Sequence, residues 1–291
     1  MLDKESKSEN ALTNERTNER TNERTNERTV YHCFFEQSGT FKNEFRKLGY
    51  EAYDYDILND FEQTDFVIDL FAEIDKAYDG QESVFDKIST DDVILAFFPC
   101  VRFENQIMLA FRGQLDQLKN WSMKQKMQYC MKLLTELKTN YDAVNKMFIV
   151  CMDRGLRLIM ENPYSQEHFL RRYWCYQPAI IDKDRRENGD YFAKPTQFWF
   201  CGLEPKMNFL PEAITYNHIE EKSAIERLNS TMYENRFGKV SLKVARSMIH
   251  PQYANRFIRR YILDGNPEDN QDDQINIFDF LKGEKDETDT N

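Results

Sequence analysis

Two short segments combine residue types that can do covalent chemistry. Pro99-Cys100 follows the apolar run 92–98, and Glu161-Asn162-Pro163 follows the apolar run 157–160. A thiolate can add to an electron-poor carbon atom, and a carboxyl group can hold or move a proton on the same substrate. If the two runs are neighbouring strands of one sheet, their ends open into one cleft. The spacing therefore predicts Cys100 as a nucleophile and Glu161 as its catalytic partner.

A second group of residues predicts a ligand-binding turn near the beginning of the ordered chain. The first apolar run, 30–35, is followed by the small and polar residues 36–40. Small residues let a ligand approach the backbone, and the N-terminus of the next helix favours a negative group. Asp54 and Asp56 end the second run, where a carboxylate can accept both hydroxyls of a ribose. The turn holds a single glycine, Gly39, so it is not a dinucleotide-binding fingerprint.

The elements that position these residues alternate between strand-like and helix-like patterns. Short apolar runs predict strands, and helical periodicity predicts intervening helices at 41–48, within 65–78 and along 104–147. Gly49 is placed to end the first of these helices. This alternation predicts an α/β domain with a doubly wound parallel sheet. The strands are expected at 30–35, 51–57, 66–68, 92–98, 157–160, 179–181 and 196–201.

Over residues 30–200 the layout resembles that of the cytosine-5 DNA methyltransferases. The segment 35–41 looks like their cofactor motif Phe-x-Gly-x-Gly-x-Phe, with Gln37 at the first glycine. Phe98-Pro99-Cys100 looks like the Pro-Pro-Cys nucleophile loop, with a phenylalanine at the first proline. Glu161-Asn162-Pro163 looks like the family's Glu-Asn-Val.

The resemblance implies a class I S-adenosylmethionine-dependent methyltransferase fold, which is a Rossmann-like sheet with flanking helices. It implies S-adenosyl-L-methionine as cofactor and DNA as substrate. Cys100 would add to C6 of cytosine while Glu161 holds N3, which makes C5 nucleophilic. Asp56 would bind the ribose and Asp69 would meet the adenine. The cofactor-binding residues implied in this way are Phe35, Glu36, Ser38, Gly39, Thr40, Phe41, Asp54, Asp56, Asp69 and Phe98.

Two further matches concern the substrate side of the site. Pro99 belongs to the nucleophile loop. Asp184-Arg185-Arg186 matches the family's Gln-x-Arg-x-Arg loosely, which would bring Arg185 or Arg186 to the substrate. The family's late Gly-Asn pair has no counterpart, and residues 247–254 stand in its place. Only about forty residues precede that segment after the last strand, too few for a full target-recognition domain.

Two other functions fit the same residues. The segment 161–164 can be compared with the Asn-Pro-Pro-Tyr loop of amino-methyltransferases, which act on an exocyclic nitrogen. That loop belongs after the fourth strand, where this chain has Phe98-Pro99-Cys100. The degenerate cofactor turn also fits a catalytically inactive methyltransferase-like module that binds nucleic acid or protein.

Composition separates a central domain from two polar ends. The chain has 291 residues and a formal net charge of −11. The tail 264–291 holds ten acidic and two basic side chains, and residues 13–28 repeat Thr-Asn-Glu-Arg four times. We expect a disordered segment at 1–29, a catalytic domain at 30–263 and a flexible acidic tail at 264–291. Within that tail, Gln274 to Phe278 resembles the peptide that docks bacterial replication proteins on the sliding clamp.

Other features bear on location and metals. The sequence has no apolar run long enough for a membrane span and no secretory signal, so a cytoplasmic protein is expected. Its six cysteines contain no Cys-x-x-Cys pair, and its four histidines show no ligand spacing. No metal site is predicted.

Overall fold

The computed structural model describes residues 29–104, 107–214, 232–235, 238–241 and 248–264. The repeat at 13–28 and the clamp-like peptide at 274–278 lie outside the described residues, as does most of the tail.

A seven-stranded sheet forms the centre of the fold. Its strands are β1 Val30–Phe34, β2 Glu51–Asp56, β3 Phe66–Val67, β4 Val93–Phe97, β5 Arg157–Pro163, β6 Ile180–Asp182 and β7 Thr196–Cys201. A separate antiparallel pair comprises β8 Met232–Asn235 and β9 Gly238–Ser241.

Six α-helices accompany the sheet in the described residues. They are α1 Thr40–Lys47, α2 Leu70–Tyr78, α3 Ile107–Phe111, α4 Met123–Arg154, α5 Phe169–Tyr173 and α6 Pro251–Phe257. A π-helical turn, Ile258–Ile262, extends α6, and short 3-10 turns occur at Val84–Lys87, Asp116–Leu118 and Arg185–Asn188. None of the described helices combines the length and apolar character needed to cross a membrane.

The strand order is β3-β2-β1-β4-β5-β7-β6. Strands β1 to β5 are mutually parallel, so the α/β prediction is confirmed for this part of the sheet. The order reverses between β1 and β4, which creates a topological switch point at the carboxyl ends of these two strands.

The prediction of a wholly parallel sheet is wrong at β7. This strand runs antiparallel to both β5 and β6. The link between β6 and β7, residues 183–195, contains a 3-10 turn and no crossover helix. A parallel neighbour requires a crossover, usually helical, that carries the chain from the carboxyl edge of the sheet back to its amino edge, whereas a link that stays at the carboxyl edge produces an antiparallel pair. The sheet is therefore mixed.

Helices cover both faces of the sheet. Along β4, Ile94 and Ala96 face the layer formed by α2 and α4, whereas Val93 and Leu95 face the layer formed by α1 and α6. Successive side chains of a strand point to opposite faces, and both faces are buried here. This explains why the run at 92–98 is apolar at nearly every position.

Candidate active site

A cavity of about 210 Å³ opens at the carboxyl ends of β1, β2, β4 and β5, beside the switch point. It contains both predicted catalytic residues and part of the predicted cofactor turn. The predicted residues that line it are Phe35, Glu36, Ser38, Asp56, Phe98, Cys100 and Glu161. Open α/β sheets bind their ligands at this position.

Asn162 fastens the two segments that carry Cys100 and Glu161. Its side chain is fully buried, and its Nδ2 donates to the carbonyl oxygens of Phe98 and Glu161, at 2.8 Å each. The end of β5 thus holds the chain just beyond the end of β4. The sequence placed the two segments at adjacent strand ends, and the β4–β5 pairing brings them together.

Glu161 has an unusual hydrogen-bond environment. It lies in β5 between Phe97 of β4 and Phe198 of β7, and it is 6% exposed. Its buried Oε1 has no hydrogen-bond partner among the described residues. Buried polar atoms are normally paired, so an unpaired carboxyl oxygen on a cavity wall is suited to form a hydrogen bond with a ligand.

Cys100 is a half-buried thiol on the same wall. Its Sγ donates to Oε1 of Glu104 at 3.3 Å, and its carbonyl accepts from the backbone of Phe103 and Glu104. Burial raises the pKa of the Cys100 thiol to about 12, with Glu104 and Glu161 adding to the effect of burial and Lys194 opposing it. The thiol is therefore protonated at neutral pH, and Glu104 is the acceptor nearest to its proton.

The turn after β1 is organised around Glu36. The buried Glu36 carboxylate accepts from the backbone N–H groups of Phe41 at 2.8 Å and Lys42 at 3.4 Å, at the N-terminus of α1. Burial raises the pKa of this carboxyl to about 7, although both hydrogen bonds favour its charged form. The helix N-terminus predicted to receive a negative group of a ligand is thus occupied by Glu36. Phe35 adopts a left-handed backbone with φ of 59°, rare for a residue with a side chain.

Three predicted cofactor residues of this turn do not line the cavity. Gly39 is the N-cap of α1, and a Cβ there would lie 3.1 Å from the side chain of Asn43. The hydroxyl of Thr40 lies 3.0 Å from that of Ser38. Phe41 is buried against Phe97, with ring centroids 4.8 Å apart.

The predicted acids on β2 and after β3 differ in position. Asp56 lines the cavity and accepts from the backbone N–H of Leu58 at 2.8 Å. Asp54 is fully buried and pairs with the amine of Lys42 at 2.9 Å, away from the cavity. Asp69 is exposed and caps α2, because it accepts from the N–H groups of the first turn.

Neither predicted arginine lines the cavity, and Pro99 does not line it either. Arg185 is buried and pairs with Asp190, with its guanidinium carbon 4.7 Å from the ring centroid of Tyr253. Burial by itself would lower the Arg185 pKa, but the ion pair with Asp190 outweighs this and raises it. Arg186 is held on the surface by Asp184 at 2.5 Å.

Several residues of the cavity wall were not predicted as site residues. They are Gln37, Phe61, Phe97, Lys194, Met248 and Ile249. Lys194 reaches the cavity because β7 is antiparallel, which places the loop before β7 at the carboxyl edge. Met248 and Ile249 occupy the region where the family's Gly-Asn pair is missing. The backbone N–H of the next residue, His250, donates to Asp190 at 2.8 Å and so fixes the position of Met248 and Ile249.

Comparison with known proteins adds no further identification. No protein-family model matches the chain, and no curated protein matches it.

Proposed function

We propose that the chain is an S-adenosyl-L-methionine-dependent methyltransferase that acts on C5 of cytosine in DNA, with Cys100 as nucleophile. The observation that carries the proposal is one cavity at the switch point, lined by Cys100, by Asp56 and by the unpaired carboxyl oxygen of Glu161. Cys100 and Glu161 were predicted from separate sequence motifs, and both line this cavity.

The charges of the cavity fit this cofactor. S-adenosyl-L-methionine carries a sulfonium, an ammonium, a carboxylate and a ribose diol. The acids Glu36, Asp56 and Glu161 line the cavity together with one lysine, Lys194. Asp56 would accept the ribose hydroxyls and Glu36 the ammonium, while the rings of Phe35 and Phe98 offer apolar surface. When bound, the cofactor supplies an electrophilic methyl group.

The side chains of the cavity then have defined tasks. Glu104 accepts the proton of Cys100, and the sulfur forms a bond to C6 of the cytosine. The carboxyl of Glu161 donates a hydrogen bond to N3, which stabilises the electron pair displaced from the C5–C6 double bond and leaves C5 nucleophilic. After methylation, a water molecule takes the C5 proton, the C5–C6 double bond re-forms as the S–C6 bond breaks, and the departing thiolate regains its proton from Glu104.

The test combines cofactor binding with capture of the nucleophile. Binding of S-adenosyl-L-methionine is measured by calorimetry, and DNA that contains 5-fluorocytosine is then added. Because fluorine replaces the proton that must leave C5, the S–C6 bond should persist as a covalent adduct. We expect Cys100→Ala to bind cofactor without forming the adduct. The matched variant Cys175→Ala, at an exposed cysteine, should retain it.

The other outcomes identify the alternative functions. Cofactor binding by the wild-type protein without an adduct would favour methylation of an exocyclic nitrogen. Absence of cofactor binding would overturn the methyltransferase proposal. A binding module without transfer activity is favoured by one observation, since Glu36 occupies the N-terminus of α1 where a ligand's negative group was expected.

A further inference from the structure

A second surface of interest lies at the opposite edge of the sheet from the cavity. Strand β7 ends at Cys201, opposite Leu158 near the beginning of β5, so the following loop leaves the sheet at its amino edge. Asn208 fastens this loop to the turn after α6. Its Nδ2 donates to the carbonyls of Arg259 and Leu263, and its backbone N–H to that of Arg260, each at 2.8 Å.

The anchored loop presents two large apolar side chains to solvent. Met207 is 59% exposed and Phe209 is 85% exposed. Met207 also has a left-handed backbone, with φ of 59°. A residue with a side chain adopts this conformation at a cost, and it persists where the surrounding structure fixes it. The loop therefore holds Met207 and Phe209 in position on the surface.

Positive charge is concentrated beside these side chains. Arg256, Arg259 and Arg260 follow one another on α6 and the π-helical turn. In the described part of the chain, Glu212 is the carboxylate that forms an ion pair with this cluster, through Arg259. Among the described residues, three arginines therefore face one ion-paired carboxylate, which leaves an excess of positive charge on this cluster.

The acidic tail begins at this surface. Asp264 pairs with Lys206 of the same loop at 2.5 Å. Residues 265–291 carry nine acidic and two basic side chains, and the large apolar residues Ile275, Ile277, Phe278, Phe280 and Leu281 all fall within 274–281. The ten residues from Asp264 to Gln274 span at most about 35 Å when extended. The acidic side chains of the tail thus complement the arginines of the surface, and its apolar residues complement Met207 and Phe209. The tail begins at Asp264, close enough for segment 274–281 to reach this surface.

From these features we infer that the tail docks on its own domain, with segment 274–281 against Met207 and Phe209 and its carboxylates against Arg256 and Arg260. The short connection gives the segment an effective concentration on the order of millimolar, which favours this contact over partners in solution. Docking uses the same apolar side chains that an apolar groove of another protein would capture. The surface would therefore compete with such a partner for the tail, whether or not the domain is a methyltransferase.

The docking can be tested by hydrogen–deuterium exchange of the full chain, read by mass spectrometry. In the wild-type protein we expect amides of 274–281 to exchange about tenfold or more slowly than in an unstructured peptide of the same sequence. Phe209→Ser and Arg260→Glu should each abolish the protection. The control Tyr173→Ser changes another exposed aromatic residue on α5 and should preserve it. Thermal unfolding of each variant reports whether the domain is intact. Phe209→Ser should leave the domain intact, because the side chain that it removes is exposed.

Three results would overturn the inference. One is exchange of 274–281 at the peptide rate in the wild-type protein. A second is protection that appears only at high protein concentration, which would place the tail on another copy of the chain. The third is unprotected tail amides together with binding of single-stranded DNA that Arg260→Glu removes, which would make the cluster a phosphate-binding surface. If the segment is docked as inferred, about 1 M salt should weaken its protection.

Discussion

Asn162 joins the two halves of the candidate site without lining the cavity. Replacing it with alanine removes the two buried hydrogen bonds that its Nδ2 donates to the carbonyl oxygens of Phe98 and Glu161. We expect Asn162→Ala to lower the free energy of unfolding by about 1–3 kcal/mol, measured by urea denaturation. Asn255→Ala is the control, since its one hydrogen bond to Glu44 is 3.4 Å long and part-buried. Equal losses for the two variants would contradict the role assigned to Asn162.

Glu36 makes the stability of the fold depend on pH. Its pKa is about 7 in the folded chain, above its ordinary value of 4.5. The folded state therefore favours the neutral carboxyl, whose contribution is complete below pH 4.5 and is lost as the pH rises through 7. Relative to Glu36→Gln, the wild-type protein should lose up to about 3 kcal/mol of unfolding free energy over this interval.

Urea denaturation of both proteins at about pH 5 and about pH 8 measures the change. Glu82→Gln replaces an exposed glutamate and should show no such difference between the two pH values. A constant gap between wild type and Glu36→Gln would show that the Glu36 carboxyl keeps its ordinary pKa.

The sequence could predict residues at strand ends but not how deeply they are buried. Cys100, Glu161 and Asp56 were predicted from their position at the ends of apolar runs, and they share the cavity. Asp54 lies two residues deeper in β2, where Lys42 of α1 pairs with it. That partner depends on how α1 packs on the sheet, which a strand pattern does not contain. Glu104 was also missed, because the turn from Cys100 to Glu104 brings its carboxylate to the thiol.

At the scale of elements, two glycines bound α1, and both have a left-handed backbone. Gly39 has φ of +61° and Gly49 has φ of +85°. A Cβ at Gly39 would lie 3.1 Å from Asn43 and 3.3 Å from Gln63, whereas one at Gly49 would meet nothing within 4 Å. Each alanine should cost about 1–2 kcal/mol in backbone strain, and Gly39→Ala should cost more because of its contacts.

Midpoints of urea denaturation would rank these two variants. A larger loss for Gly49→Ala would show that the turn after β1 can relax around an added methyl group. The sequence correctly predicted that α1 ends at Gly49. It could not predict that Gly39 faces Asn43 and Gln63 instead of the cavity.

The direction of β7 was the main error at this scale, and its cause is physical. Apolar periodicity identifies a strand but is indifferent to its direction. Direction follows from the connection, and the link 183–195 holds a 3-10 turn and no crossover helix. This reversal also explains why Lys194 reached the cavity without a signal in the sequence.

At the scale of the whole molecule, the alternation of runs and periodic segments was sufficient to predict an α/β fold with helices on both sides. The apolar runs had to be continuous because the central strands are buried on both faces. The strand order was not predictable in the same way, since it depends on pairings between residues far apart in the chain. β1 pairs with β4 across some sixty residues, for example, with Tyr31 opposite Val93.

The position of β7 has a consequence for the chain while it is being made. In the finished sheet both edges are short, because β3 has two residues and β6 has three, and short edges offer little to a strand from another molecule. The seven-residue β5, with Leu158, Ile159 and Met160, is shielded only when β7 pairs with it. A nascent chain that has emerged only as far as Pro195 exposes β5 as a long apolar edge. Aggregation is therefore most probable in the interval between synthesis of β5 and arrival of β7, and ends once residues 196–201 have joined the sheet.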